Sequence, residues 1–210
     1  MTKIKICGLT RMQDIEYVNE ALPDFIGFVF ANSRRKVSID TAVQLKNLLD
    51  CRIKAVGVFV NENLSTIKQL CQSGIIDYVQ LHGDEDAEYL RTLSQQISKP
   101  IIKALRVKDL SSIIAAQQLS CDFLLLDTFS DKEYGGTGKT FDWKLAGDVE
   151  KPFFLAGGIN SCNAKAAIDS SKPYCLDVSS GVETNGVKDR NKIIDIVSLV
   201  RNNFKELNNF

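Results

Sequence analysis

One histidine, His82, stands in 210 residues. A metal centre built on several imidazoles is therefore excluded, because the commonest neutral metal ligand occurs only once. Neither sign of charge is in excess: Lys and Arg together number 26, as do Asp and Glu, and the formal net charge is zero. That argues against a nucleic-acid partner held by a strong global positive field, while leaving a local anion site open. Six cysteines occur, at 7, 51, 71, 121, 162 and 175, and none forms a C-x-x-C pair. Zinc ribbons and thioredoxin-type motifs lose their support, and five of the six read as small apolar fillers or helix-surface thiols. No apolar run is long enough to span a bilayer, and Met1-Thr2-Lys3-Ile4-Lys5-Ile6 enters a strand pattern without a secretory apolar region. The expectation is a cytoplasmic protein with no membrane partner. No low-complexity stretch or linker divides the chain, so residues 1–210 are expected to form one domain.

What the sequence does have is repetition. Eight short apolar runs occur at 4–7, 25–30, 55–60, 78–81, 101–105, 123–126, 153–156 and 175–178. Between most of them lie segments of helical period, at 12–21, 41–49, 64–71, 87–97, 110–119, 164–170 and 193–204. Asp40, Asn63 and Asp109 precede three of these as N-cap candidates. The sixth unit is the weak one, with a polar, Gly-rich loop after Asp127 and only a poor helix around 143–148. Strand and helix alternate at roughly 25-residue spacing, which calls for a parallel sheet with helical crossovers. Eight units in a chain of this length fit a single-domain α/β (β/α)8 TIM barrel; a doubly wound open sheet is the alternative.

In a (β/α)8 barrel, catalytic groups sit at the C-terminal ends of strands and in the loops that follow. That nominates Cys7, loop 31–35, Asn61, His82, Arg106, Asp127, Gly157-Gly158 and Asp177 with Ser179-Ser180-Gly181. Cys7 reads either as a buried structural thiol or as a base. Side chains alternate along a strand, so Cys7 shares a face with Lys5, whose ammonium favours a thiolate unless a carboxylate claims it. Asp127 ends the apolar run Phe123-Leu124-Leu125-Leu126. It reads as a loop-capping aspartate or as a partly desolvated acid able to donate a proton. Gly135-Gly136-Thr137-Gly138-Lys139-Thr140 fails the P-loop register, because position 133 is Glu133; it is read as a flexible active-site loop. Gly157-Gly158 after the seventh strand and Ser179-Ser180-Gly181 after the eighth match the usual phosphate position of a barrel. Arg34 and Arg35 form either a solvated basic loop or a contact for an anionic group. His82 either caps its turn or lines the mouth.

Taken together in this order, several segments resemble the phosphoribosylanthranilate isomerase family over nearly the whole chain. They include Lys5-Ile6-Cys7-Gly8-Leu9-Thr10, Val79-Gln80-Leu81-His82-Gly83, Leu126-Asp127-Thr128, Leu155-Ala156-Gly157-Gly158-Ile159 and Asp177-Val178-Ser179-Ser180-Gly181-Val182-Glu183. The resemblance implies a (β/α)8 barrel and an Amadori rearrangement in tryptophan biosynthesis, with no metal and no organic cofactor. The implied substrate is a phosphorylated small molecule, N-(5-phospho-β-D-ribosyl)anthranilate. Its general base falls on Cys7 and its general acid on Asp127. The anthranilate carboxylate falls to Arg35, and the phosphate loops to Gly157, Gly158, Ser179, Ser180 and Gly181. His82 and Asp177 are expected to join the substrate site. Monomer and homodimer both remain open.

The nearest rival to this reading is another phosphate-binding barrel, such as a sugar-phosphate epimerase or indole-glycerol-phosphate synthase; the metal-dependent epimerase needs more histidines than this chain has. A Schiff-base enzyme on the same scaffold wants a strand lysine, and Lys103 lies in the fifth run. A non-catalytic phosphate-binding barrel would keep the glycine loops and need neither Cys7 nor Asp127.

Overall fold

The computed structural model describes residues 1–107, 109–128, 143–146 and 149–207. Eight parallel strands close into a barrel in chain order. They are β1 Lys3–Cys7, β2 Phe25–Val29, β3 Lys54–Phe59, β4 Tyr78–Leu81, β5 Ile101–Val107, β6 Phe123–Thr128, β7 Phe153–Leu155 and β8 Cys175–Val178. Closure comes from β1 pairing with β8, with Lys5 opposite Asp177. Helices α1 Met12–Ala21, α2 Ile39–Leu48, α3 Leu64–Gln72, α4 Ala87–Gln96, α5 Leu110–Ala116, α6 Ala164–Ser171 and α7 Arg190–Leu207 form the crossovers and the closing helix. After β6 the described residues hold only a 3₁₀ turn, Trp143–Ala146, where the sequence pattern is weakest. The Gly-rich segment 135–140 lies outside the described residues.

The period-2 alternation sorts side chains between two apolar layers. Ile4 and Ile6 of β1 point outward and join the larger core with Ile15 and Val18 of α1 and Ile193, Ile196 and Val200 of α7. A smaller cluster containing Phe25, Val56, Ile102, Leu125, Phe154 and Cys175 fills the barrel interior. Aromatic rings continue this packing, with Phe25 edge-on to Tyr78 at 5.2 Å and Phe123 against Tyr174 at 4.9 Å. The barrel interior is thus packed, and toward the strands' C-terminal ends it gives way to polar side chains, where a site can form.

Capping departs from expectation in two places. Ser38, not Asp40, caps α2: its hydroxyl accepts from the Thr41 N–H at 3.0 Å, and Asp40 falls inside the first turn. A serine two residues upstream reaches the free N–H groups better than an acid already in helical backbone. Asn63 sits at the cap position of α3 without a side-chain cap bond, whereas Asp109 accepts from Ser112 N–H at 2.9 Å as expected.

Candidate active site

Above the apolar interior lies a polar layer drawn from four strands, β1, β4, β6 and β8. Lys5 is fully buried. An isolated ammonium there would be prohibitively costly, and its partners explain its presence. Its Nζ donates to Asp177 Oδ2 at 2.9 Å and to Gln80 Oε1 at 2.6 Å. Burial works against the ammonium, but Asp177 and the neighbouring thiols outweigh it, so Lys5 is held above its ordinary value. The layer continues upward: Gln80 Nε2 lies 2.9 Å from His82 Nδ1, and His82 Nε2 faces Asp127 Oδ2 across 3.4 Å.

Over this layer opens a cavity of about 150 Å³. Cys7, Arg35, His82, Asp127, Gly157, Gly158, Asp177, Ser179 and Ser180 all line it, with Val29, Val58 and Ile159 as apolar wall. Nine of the ten expected site residues therefore share one concavity. The tenth, Gly181, lies behind it: a Cβ there would stand 2.0 Å from the Ile159 carbonyl oxygen, so its bare backbone lets the loops after β7 and β8 touch. Gly157 and Gly158 have φ of 86° and 68°, a left-handed turn that side chains resist. Asn163 Nδ2 pins this turn by donating to the Gly158 carbonyl at 2.9 Å. Asn61 and Arg106, also nominated as strand-end residues, lie outside this cavity. Asn61 Oδ1 accepts from Asp84 N–H at 2.8 Å, and Arg106 lines a neighbouring cleft with Glu85 and Lys103.

The thiol does not match the simplest expectation. Lys5 is on the Cys7 face, but its hydrogen bonds go to Asp177 and Gln80. Burial pushes the Cys7 thiol above its ordinary value; Lys5 and Lys188 pull it down without cancelling that effect, and Asp177 adds to it. Lys103 turns away from the interior altogether. Its register partners, Leu81 and Leu124, belong to the outer core, and its Nζ donates to Glu85 Oε2 at 2.6 Å. It is therefore not placed to attack a substrate carbonyl in the central cavity.

A family model described as N-(5′-phosphoribosyl)anthranilate (PRA) isomerase matches residues 4–199. The chain belongs to this family. It is 53% identical over 201 residues to the N-(5′-phosphoribosyl)anthranilate isomerase of Endomicrobium trichonymphae, covering 96% of this chain and 99% of that one. The phosphoribosyl anthranilate isomerase structure from Thermotoga maritima superposes with a TM-score of 0.85 at 35% identity, over 96% of this chain and 100% of that one. A further isomerase structure, solved in complex with reduced 1-(o-carboxyphenylamino)-1-deoxyribulose 5-phosphate, matches with a TM-score of 0.82 at 33% identity, covering 96% of this chain and 100% of that one.

Within this isomerase fold, three residues near the cavity carry roles that motif reading did not assign. Gln80 is a polar residue between inward-facing Tyr78 and His82, a signal that was available in the alternation itself. Glu183 follows the β8 loop, and Lys188 lies in the short hairpin of Glu183–Thr184 with Val187–Lys188. Glu183 gathers three cations: Arg35 Nε at 2.7 Å, Arg34 Nη2 at 2.8 Å and Lys188 Nζ at 2.8 Å. Lys188 also donates to the Ser179 carbonyl at 3.0 Å, tying the clamp to the β8 loop. Arg34 is mostly exposed and absent from the cavity wall, so Arg35 is the guanidinium that faces it. Among the described residues no helix is long and apolar enough to cross a membrane, and no group of three or more His, Cys, Asp or Glu could hold a metal ion.

Glu183 carries a pH signature. Burial raises its carboxyl, but the hydrogen bonds and charges of Arg35 and Lys188 outweigh that and hold it down to about 2 from an ordinary 4.5. A folded-state value below the unfolded one gives stability that is complete above the unfolded value and lost as pH falls toward the folded one. Thermal melts are therefore expected to show a Glu183-dependent loss, on the order of 1–2 kcal/mol once solvent screening is allowed for, between roughly pH 4.5 and pH 2. In Glu183→Gln that component should vanish; an identical acid limb in both proteins would contradict the assignment.

Proposed function

We infer that this chain is an isomerase that converts N-(5-phospho-β-D-ribosyl)anthranilate to 1-(2-carboxyphenylamino)-1-deoxy-D-ribulose 5-phosphate, a step of tryptophan biosynthesis. The observation that carries this reading is the convergence of Cys7, Asp127, Arg35 and two loops of phosphate-binding type on one cavity in a chain of this family. That a related isomerase structure at 33% identity was solved with a reduced form of that product supports the reading.

The chemistry asks for an acid and a base. Asp127 protonates the furanose ring oxygen, and the ring C–O bond breaks to leave a Schiff base at C1′. Cys7 then takes the C2′ proton, and the electrons of that C–H bond form the enolamine, which tautomerises to the ketone. Cys7 stands at the end of β1 with its Sγ over Gly27 of β2, where a Cβ would come within 2.6 Å of the sulfur. Its thiolate is the reacting form, and Lys5 and Lys188 are the two cations that favour it. Phosphate is held by the backbone N–H groups of the Gly157-Gly158 and Ser179-Ser180 turns, while Gly181 lets those turns meet. The clamp on Glu183 pre-orients Arg35 toward the anthranilate carboxylate, which reduces the side-chain entropy lost on binding.

The two ends of the substrate are separable by calorimetric titration with the reduced product analogue and with inorganic phosphate. Arg35→Ala is expected to weaken the analogue by roughly 1.5–3 kcal/mol, one charge-assisted contact, and to leave phosphate nearly unchanged. Loss of phosphate affinity with unaltered analogue selectivity would mean the substrate lies the other way round.

A further inference from the structure

Four side chains inside the barrel form one ordered sequence of donors and acceptors, and one of them fixes the sense of the rest. Lys5 is a donor only, since an ammonium has no lone pair to offer. The Gln80 atom 2.6 Å from Lys5 Nζ must therefore be the carboxamide oxygen. That leaves the Gln80 NH₂ group 2.9 Å from His82 Nδ1. An amide NH₂ donates, so Nδ1 must accept and carries no proton. A neutral imidazole has one N–H, and the hydrogen bond at one ring nitrogen decides which nitrogen bears it. The His82 proton is then on Nε2, the nitrogen that faces Asp127 Oδ2 across 3.4 Å.

We propose that Lys5 and Gln80 are positioning residues that lock His82 in its Nε2–H tautomer, and that this tautomer determines which oxygen of Asp127 gives up a proton. The inference rests on the reading of Asp127 as the acid. Oδ2 faces an N–H donor, so a proton on Oδ2 would set donor against donor; the transferable proton belongs on Oδ1. The opposite tautomer would reverse this, turning a bare Nε2 toward Asp127 and drawing the acid's proton onto Oδ2. Lys5 is itself held by Asp177 Oδ2 at 2.9 Å, so the order that begins beside Cys7 at β8 and β1 ends at the acid on β6.

His82 is the only histidine, so its ring nitrogens can be assigned in the intact protein without ambiguity. Long-range ¹⁵N–¹H correlation spectra at about pH 8, above the ordinary imidazole range, read the tautomer directly. The expected result is a protonated Nε2 and a bare Nδ1; a protonated Nδ1, or averaging between the two, overturns the proposal. In Gln80→Glu the new carboxylate accepts from Lys5 and from the ring, so the proton is expected to move to Nδ1. With that move, kcat is expected to fall by roughly 10²-fold or more while KM changes little. A folded Gln80→Glu protein that retained the Nε2–H tautomer would count against the lock. Gln80→Met, which neither donates nor adds charge, should give a mixture of tautomers, and a single unchanged Nε2–H form in it would likewise overturn the proposal. The underlying reading is tested apart from this: an active, folded Asp127→Asn protein would remove Asp127 as the acid and leave the wild-type tautomer where it is.

Discussion

Replacing Cys7 by alanine is expected to lower kcat by roughly 10²–10⁴-fold, the usual contribution of a positioned general base. KM should change little, because in the proposed mechanism the sulfur acts on the C2′ proton in the transition state while binding rests on the phosphate turns and Arg35. Stability should fall by less than about 1.5 kcal/mol, since one sulfur is lost beside an open cavity with no change in the packed interior. Steady-state rates alongside a thermal melt check both halves. A folded Cys7→Ala protein with near-normal turnover would return Cys7 to the role of a structural thiol. A melt that collapsed together with activity would point the same way.

The largest stability effect is expected at Lys5→Met. The substitution keeps much of the side-chain volume and removes the ammonium, leaving Asp177 buried beside Gln80 without its counter-charge. Removing one member of a buried ion pair typically costs about 3–5 kcal/mol, because the remaining charge is uncompensated. At roughly 2–4 °C per kcal/mol for a chain of this size, the melting temperature should drop by about 6–20 °C. Lys5→Met combined with Asp177→Leu should recover much of that loss, since replacing both partners removes the stranded charge. Additive destabilisation in the double variant would show that Lys5 and Asp177 contribute independently and would contradict the stranded-charge explanation. Denaturant midpoints at constant slope would make the comparison.

The sequence exposed most of the barrel because its strands are short, apolar and evenly spaced. Tyr78–Leu81, Cys175–Val178 and Met12–Ala21 have the bounds that periodicity predicts. The strand-end rule then assembled nine of the ten expected site residues without any contact being known. Its failures have a common cause. In β5, Ile101–Val107, both faces are buried, so alternation cannot say whether Lys103 points into the barrel or out of it; the Glu85 partner that makes the outward direction tolerable comes from another loop. Alternation puts Gln80 on the inner face, but its partner Lys5 is known only once β4 is aligned across the interior from β1. Glu183 was visible in its motif, but its three cations come from the loop after β2 and the hairpin after β8. Local spacing specifies which face a residue takes; partners in a closed barrel are chosen by register and closure.

If Asp127 and Cys7 together perform the isomerisation, turnover depends on the proton that Asp127 carries. The most direct measurement of this dependence follows the fluorescence of freshly formed N-(5-phospho-β-D-ribosyl)anthranilate under enzyme saturation, for the wild-type chain and for Asp127→Asn. The substitution is nearly isosteric and keeps an oxygen facing His82 Nε2, but it removes the transferable proton. The wild-type protein is expected to consume the signal with turnover. Asp127→Asn, with an unaltered melt, is expected to be slower by roughly 10²-fold or more. A folded Asp127→Asn protein that consumed the substrate within a few-fold of the wild-type rate would contradict the account.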